Sequence, residues 1–117
     1  MMSIKEAAEA VSISPSTIRY YDEQGLLPFV QRDELGYRRF EQSDLFWLEI
    51  ISCMRKTGMQ IRTLKHIAEL HMQGKETVQE RIQIFEEHRS KLLQQKEEID
   101  DGLSKIAHKM QQLEQLL

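Results

Sequence analysis

The chain has 117 residues, of which 40% are hydrophobic and 30% are charged. This length suits one compact domain with an extension and argues against a multidomain enzyme. Sixteen basic and nineteen acidic side chains give a net charge of −3, which argues against a general polyanion binder. Residues 1–75 hold ten charges of each sign, whereas residues 76–117 hold six basic and nine acidic side chains. The excess of acid therefore lies in the last third of the chain, and a local basic patch can persist before it.

A single cysteine, Cys53, excludes a disulfide within one chain and favours a reducing compartment. No apolar run reaches the roughly 18 residues that span a bilayer. The N-terminus also lacks the uninterrupted apolar segment of a signal peptide. The sequence therefore predicts a cytoplasmic protein.

Two short helices open the predicted fold. Ser3 and Glu6 form a capping box for a helix that runs to about Val11. Ser14 followed by Pro15 is typical of a second helix start, because serine suits the N-cap and proline at the first helical position loses no needed donor. Gly25 can end this helix in the left-handed conformation. Two such helices joined by about three residues predict a helix-turn-helix.

A short antiparallel pair is predicted next. Residues 29–32 suit an extended segment, residues 33–36 supply a turn, and residues 37–40 alternate aromatic and basic side chains as a return strand would. A pair this short is unstable alone. We therefore expect it to lean on neighbouring helices as a wing.

Two further helices follow the wing. Ser43 and Asp44 are expected to cap a third helix that Gly58 ends. Apolar residues at helical spacing from Ile61 onward predict a fourth helix that closes near Gly74. Together these elements predict a mainly α, winged helix-turn-helix domain over residues 1–75.

Residues 76–117 carry a heptad pattern. Apolar residues recur at alternating steps of three and four, and only Arg89 and Lys96 interrupt them. The chain contains no second long helix against which this one could fold back, so the pattern predicts a dimerising coiled coil between two copies. The dimerisation residues predicted on this seam are Ile82, Phe85, Leu92, Ile99, Leu103, Ile106, Met110 and Leu113.

The second helix and the wing carry the residue types that DNA recognition uses. Ser16, Thr17 and Arg19 open the helix with short hydroxyl groups and a long cation, which suit the major groove. Side chains able to bind phosphates are Tyr20, Tyr21, Tyr37, Arg38 and Arg39. The structural alternative is that one tyrosine packs in the core and the arginines decorate a solvated face. The combination of helix-turn-helix, wing and basic residues favours DNA.

Three motifs in order resemble the MerR family of bacterial transcription regulators. They are Thr17–Pro28 (TIRYYDEQGLLP), Gly36–Phe40 (GYRRF) and Arg55–Met59 (RKTGM). The resemblance covers the whole chain and implies a homodimer, joined by an antiparallel coiled coil, that binds an operator. It further implies that the dimer bends and untwists promoter DNA so that RNA polymerase can engage both promoter elements.

The resemblance also implies residue roles. It puts Arg19, Tyr20, Tyr37 and Arg39 at the DNA backbone, with Ser16 and Thr17 near base edges. Phe40 stands where the family more often has tyrosine. Lys65 in the fourth helix is a further DNA-binding candidate, because residues 50–68 contain no carboxylate.

Cys53 is the candidate for sensing an effector. A subgroup of the family that responds to aldehydes or other electrophiles is similar in having one cysteine here. Arg55, Lys56 and His66 are expected nearby, and cations favour the reactive thiolate. Modification of Cys53 would then reposition the DNA-binding head. The alternative is a small buried residue with no reactivity.

No cofactor, metal site or enzyme activity is predicted. Metal-sensing members of the family that the chain resembles carry cysteines at the end of the dimerisation helix, and none is present there, so thiolate metal sensing is not expected. The four histidines lack an i, i+4 ligand pair, so surface histidines are expected. No carboxylate pair falls in a predicted pocket. Two rival functions stay open: a repressor of the same fold without an effector, and a coiled-coil adaptor whose N-terminal part binds protein.

Overall fold

A computed structural model describes all of residues 1–117. The chain divides into two compact units, Met1–Arg81 and Ile82–Leu117. Five α-helices, one antiparallel strand pair and a single 3₁₀ turn make up the chain, which confirms the mainly α, winged class. The elements are α1 (Ile4–Val11), α2 (Pro15–Glu23), β1 (Gln31–Arg32), β2 (Arg38–Arg39), α3 (Gln42–Lys56), α4 (Ile61–Gln73), the 3₁₀ turn (Lys75–Thr77) and α5 (Val78–Glu114).

The capping signals at α1 and α2 are present as predicted. The Ser3 hydroxyl accepts the Glu6 backbone N–H at 3.2 Å, and Glu6 Oε1 accepts the Ser3 N–H at 3.0 Å. Ser14 caps α2, and Pro15 occupies the first turn. Between the two helices the chain turns sharply at Ser12, which has a φ of 56°. The three residues 12–14 thus connect the helices of the helix-turn-helix.

The wing is a minimal hairpin. Gln31 pairs with Arg39 and Arg32 pairs with Arg38, in antiparallel register. An isolated bridge between Met2 and Phe40 joins the end of the wing to the N-terminus, with backbone hydrogen bonds of 2.8 and 2.7 Å. Phe40, at the end of the wing, is fully buried and belongs to the core of the N-terminal unit.

The third helix begins earlier than expected. Its N-cap is Glu41, whose backbone N–H donates to Asp44 Oδ2 at 2.8 Å. The prediction that Ser43 and Asp44 cap this helix is half right. Asp44 contributes to the cap from the third helical position, where its carboxylate reaches back to the N-cap donor, whereas Ser43 lies inside the first turn. Gly58, with a φ of 101°, follows the end of α3 as predicted.

The core of the N-terminal unit draws on every helix from α1 to α4. Its fully buried large side chains include Ile18 on α2, Leu48 and Ile51 on α3, and Leu64 on α4. The indole N–H of Trp47 donates to the Leu26 carbonyl at 2.8 Å and fixes the segment after α2. These contacts hold α2 in a fixed orientation with its polar face outward.

The last helix is continuous over 37 residues. At 1.5 Å per residue it is ~55 Å long. His88 is buried, so the expectation that all histidines lie on the surface was wrong. Ile84, Phe85 and His88 recur at helical spacing on one less exposed face of α5. None of the helices carries an apolar stretch long enough to cross a membrane.

Candidate nucleic-acid interface

Helix α2 separates its side chains cleanly between core and solvent. Ile18 and Tyr21 are 0% and 6% exposed and face the core, three residues apart on one side of the helix. Ser16, Arg19 and Tyr20 are exposed on the other side. Tyr21 is therefore the tyrosine that packs in the core, and Tyr20 is the one available to an external partner.

The hydroxyl groups at the start of α2 form a local cluster. The Ser14 hydroxyl lies 3.1 Å from that of Ser16 and 2.8 Å from that of Thr17, and it accepts the Thr17 backbone N–H at 3.1 Å. Each hydroxyl has two acceptor lone pairs and one proton. The cluster therefore fixes where Ser16 and Thr17 point while leaving acceptor capacity at a helix N-terminus.

The turn of the wing is organised by Asp33. Its Oδ1 accepts the backbone N–H groups of Leu35 and Tyr37, both at 3.0 Å. Gly36 has a φ of 88°, a left-handed conformation that favours glycine. This turn leaves Tyr37 67% exposed at the start of the return strand.

A groove of about 440 Å³ lies between α2 and the wing. It brings together the predicted residues Arg19, Tyr37, Arg38 and Arg39. Its lining includes four guanidinium groups and two carboxylates, an excess of two positive charges. Arginine and tyrosine donors along such a groove are suited to phosphate oxygens.

Within this groove Arg38 is held by protein groups. Its Nη2 lies 2.7 Å from Asp22 Oδ1, its Nε donates to Asp22 Oδ2 at 3.1 Å, and its Nη1 donates to the Val30 carbonyl. The side chain is 18% exposed. The role of Asp22 as a partner of Arg38 was not predicted from the sequence. The signal that could have revealed it is the pairing of Arg32 with Arg38 across a short hairpin, because two like charges so placed need a nearby negative charge.

Arg39 sits at the edge of the groove next to the N-terminus. Its Nη2 donates to the Met1 carbonyl at 3.1 Å. The pKa of Glu6 in α1 is lowered, chiefly because its carboxylate accepts the Ser3 backbone N–H, with the Ser3 hydroxyl and the charge of Arg39 contributing further.

Lys65 lies outside the groove and is exposed on α4. Its methylene stem covers Gly25, where an added Cβ would stand 3.2 Å from Lys65 Cε. Gly25 has a φ of 79°, as predicted for the residue that ends α2. The role of Lys65 in DNA binding stays a prediction, and its methylene stem packs against the end of α2.

Cys53 is exposed on α3. Two of the side chains expected beside it contact other groups: Arg55 Nη1 donates to the Met59 carbonyl at 2.8 Å, and His66 Nε2 lies 3.5 Å from Glu80 Oε1. Activation of the thiol by these cations stays a prediction. The chain contains no group of three or more histidine, cysteine or acidic residues that could hold a metal ion.

The predicted seam of α5 is largely open to solvent. Phe85 and Leu92 are half-buried, whereas the residues further along α5 are exposed. The exposed fractions are 61% for Ile99, 59% for Leu103, 57% for Ile106, 54% for Met110 and 52% for Leu113. Ile82, at the start of the second unit, is 43% exposed.

Comparison with known proteins adds independent evidence. Residues 2–70 match the model of the MerR HTH family of regulatory proteins. The chain is 40% identical over 105 residues to an uncharacterised HTH-type transcriptional regulator of Haemophilus influenzae, a match that covers 90% of this chain and 78% of that protein. It is 34% identical to the HTH-type transcriptional regulator AdhR of Bacillus subtilis, over 80% of this chain and 66% of AdhR. The chain thus spans just under two thirds of AdhR.

Solved structures share the fold. HiNmlR, described as a MerR family regulator lacking the sensor domain and bound to promoter DNA, superimposes with a TM-score of 0.84 at 39% identity, covering 92% of this chain and 86% of that chain. A MerR family regulator from Bacillus thuringiensis gives a TM-score of 0.81 at 36% identity, over 93% of this chain and 96% of that chain. The chain therefore belongs to the MerR family of DNA-binding transcriptional regulators, which are not enzymes.

Proposed function

We propose that the chain acts as a homodimer that binds promoter DNA in the cytoplasm and controls transcription by distorting that DNA for RNA polymerase. The observation that carries the proposal is the likeness to HiNmlR over 92% of the chain, because HiNmlR is bound to promoter DNA. The exposed polar face of α2 and the basic groove beside the wing supply the surface that such binding needs.

Dimer formation is supported by the exposed face of α5. Five large apolar side chains between Ile99 and Leu113 are each more than half exposed and follow one heptad seam. Apolar surface in such a stripe is stabilised when a second helix covers it. Another copy of α5 carries a matching seam, and two copies would bring two grooves to one duplex.

The test is the salt dependence of binding to duplex promoter DNA. Candidate duplexes come from the DNA flanking the gene that encodes the chain, and fluorescence anisotropy gives the affinity at several salt concentrations. Because phosphate contacts release counterions, the logarithm of the affinity should fall linearly with the logarithm of the salt concentration. Arg19→Ala should weaken binding and lower that slope by about one for each lost contact.

The control removes the same charge elsewhere. Lys91 is exposed on α5, far along the sequence from the groove residues, so Lys91→Ala changes net charge equally and should leave the slope unchanged. No binding of any flanking duplex at low salt, or equal loss in both variants, would favour the adaptor function over DNA regulation.

We further propose that Cys53 senses aldehydes or related electrophiles. The thiol is exposed on α3 and therefore open to reagents. The alternative of a buried, inert cysteine loses support from this exposure. Modification there would alter the N-terminal unit that presents the groove, and so change the response at the promoter without removing the phosphate contacts.

A reporter assay with formaldehyde tests this second proposal. Cys53→Ser should abolish induction while the affinity for the promoter duplex is unchanged. Ser52→Ala, one residue away on the same helix, is the matched control and should respond like the parent protein. If Cys53→Ser responds normally, the thiol is not the sensor. If the parent protein represses the reporter but never responds to electrophiles, function as an effector-independent repressor is favoured.

A further inference from the structure

Asp22 connects the recognition helix to both strands of the wing. It lies in the last turn of α2 and is 22% exposed. Arg38 on β2 meets it with two donors, at 2.7 Å to Oδ1 and 3.1 Å to Oδ2. Arg32 on β1 places its Nη2 3.6 Å from Oδ2. One carboxylate therefore faces two guanidinium groups from opposite strands.

The wing needs such an anchor. Each strand has only two residues, and a hairpin of this size is not stable by itself. Arg32 and Arg38 stand directly opposite each other in the register, and like charges so placed repel. The bridge between Met2 and Phe40 fixes one end of the wing only. The carboxylate of Asp22 offsets the repulsion and ties the hairpin to α2.

The same wing carries three of the candidate phosphate-binding residues, of which Arg38 is engaged by Asp22. Tyr37 precedes Arg38 and Arg39 follows it, and all three line the groove with Asp22. A two-point contact between guanidinium and carboxylate fixes orientation as well as distance. The position of the wing against α2 therefore decides whether Tyr37 and Arg39 reach the same phosphate path as Arg19.

We propose that Asp22 is a positioning residue for DNA binding: it makes no contact with DNA and holds the wing where Tyr37 and Arg39 reach the backbone. This inference rests on the proposed function. The inference predicts an unexpected direction for the change in DNA affinity when the Asp22 charge is removed, because Asp22 is an acidic group in a groove that would receive a polyanion. Electrostatics alone predicts that its removal strengthens binding, whereas a positioning role predicts that its removal weakens binding.

Asp22→Asn tests whether loss of this charge weakens or strengthens DNA binding, since asparagine keeps the shape of the side chain and removes its charge. We expect about tenfold weaker binding to the promoter duplex. The salt slope should fall by about 1.8 if each head of a dimer loses one phosphate contact. Glu23→Gln is the matched control: it removes the same charge from the neighbouring, exposed position on α2 and should bind as tightly as the parent protein or more tightly.

A double-mutant cycle separates positioning from direct contact. Arg38→Lys keeps the positive charge but cannot make the two-point contact with Asp22. If the pair acts as one unit, Asp22→Asn and Arg38→Lys should weaken binding by similar factors, and the double variant should be no weaker than either. Additive losses would mean that Arg38 contacts DNA directly and would overturn the inference.

Further outcomes are equally decisive. The inference fails if Asp22→Asn binds like Glu23→Gln, or if it binds more weakly with an unchanged salt slope, as a mere loss of folded protein would produce. Should Asp22→Asn not fold by circular dichroism, Arg38→Lys decides alone, and parent-like affinity would refute the inference. Absence of duplex binding by the parent protein would overturn the proposed function itself.

Discussion

Truncation of Leu103 should weaken the dimer without harming the helix. This residue lies on the predicted seam of α5 and is 59% exposed in the single chain. Complete burial of a leucine stabilises by roughly 1.5–3 kcal/mol, so covering the exposed part contributes ~1–2 kcal/mol per copy. Leucine and alanine are both strong helix formers, so Leu103→Ala should leave α5 helical.

The expected change in the free energy of dimerisation counts the lost side chain twice, because the dimer contains two copies of Leu103. Both copies lose the side chain, and alanine retains the Cβ, so the variant should lose roughly 2–3 kcal/mol per dimer. That corresponds to a rise in the dimer Kd of roughly 30- to 150-fold. Sedimentation velocity over a range of protein concentrations measures this Kd, and circular dichroism checks that the helix content is unchanged.

Gln111→Ala provides the control. Gln111 is exposed on α5, similar in size to leucine, and one residue beyond the seam position Met110. Its truncation should change the dimer Kd by less than threefold, since residues off the seam contribute little. An unchanged Kd for Leu103→Ala, or an equal weakening in both variants, would refute the assignment of this seam.

Three smaller predictions concern the N-terminal unit. Gly25→Ala should lower the free energy of unfolding by ~1–2 kcal/mol in urea titrations, because the φ of 79° disfavours a Cβ and the added methyl presses on Lys65. Ser12→Gly should raise it by up to about 1 kcal/mol in the same assay, because Ser12 has a φ of 56°. Because its pKa is lowered in the folded state, Glu6 should stabilise the fold above its ordinary pKa of about 4.5 and lose that effect as pH falls through the lowered value. Thermal melts of Glu6→Gln should lack this part of the acid dependence.

Each of these three has a clear contradicting result. Parent-like stability of Gly25→Ala would mean that the left-handed turn after α2 is not formed. A loss of stability in Ser12→Gly would mean that the serine side chain contributes more than its backbone strain costs. An identical acid dependence in Glu6→Gln would remove the carboxylate from the cap of α1.

Local signals in the sequence predicted most of the fold. The capping box at Ser3 and Glu6, the Ser14–Pro15 helix start and the glycine after α2 each depend on residues a few positions apart. Such signals act within one helical turn, so the sequence alone is enough to interpret them. The heptad pattern predicted the continuous α5 in the same way.

Three features were missed, one of which depends on residues far apart in the sequence. The contact between Asp22 and Arg38 joins residues 16 positions apart, and it depends on how the wing folds back over α2. The cap at Glu41 was missed because Asp44 fits two capping roles equally well in sequence. The burial of His88 was missed because a single polar residue in a highly charged helix carries no signal of burial.

The mass of the complex with promoter DNA shows whether two chains bind one duplex. Native mass spectrometry of the parent protein with a flanking promoter duplex should give one dominant species that contains two chains and one duplex, and energy transfer between dyes at the duplex ends should report bending. A complex that saturates at one chain per duplex, or a protein that remains monomeric and unbound beside the duplex, would rule out a homodimer on promoter DNA.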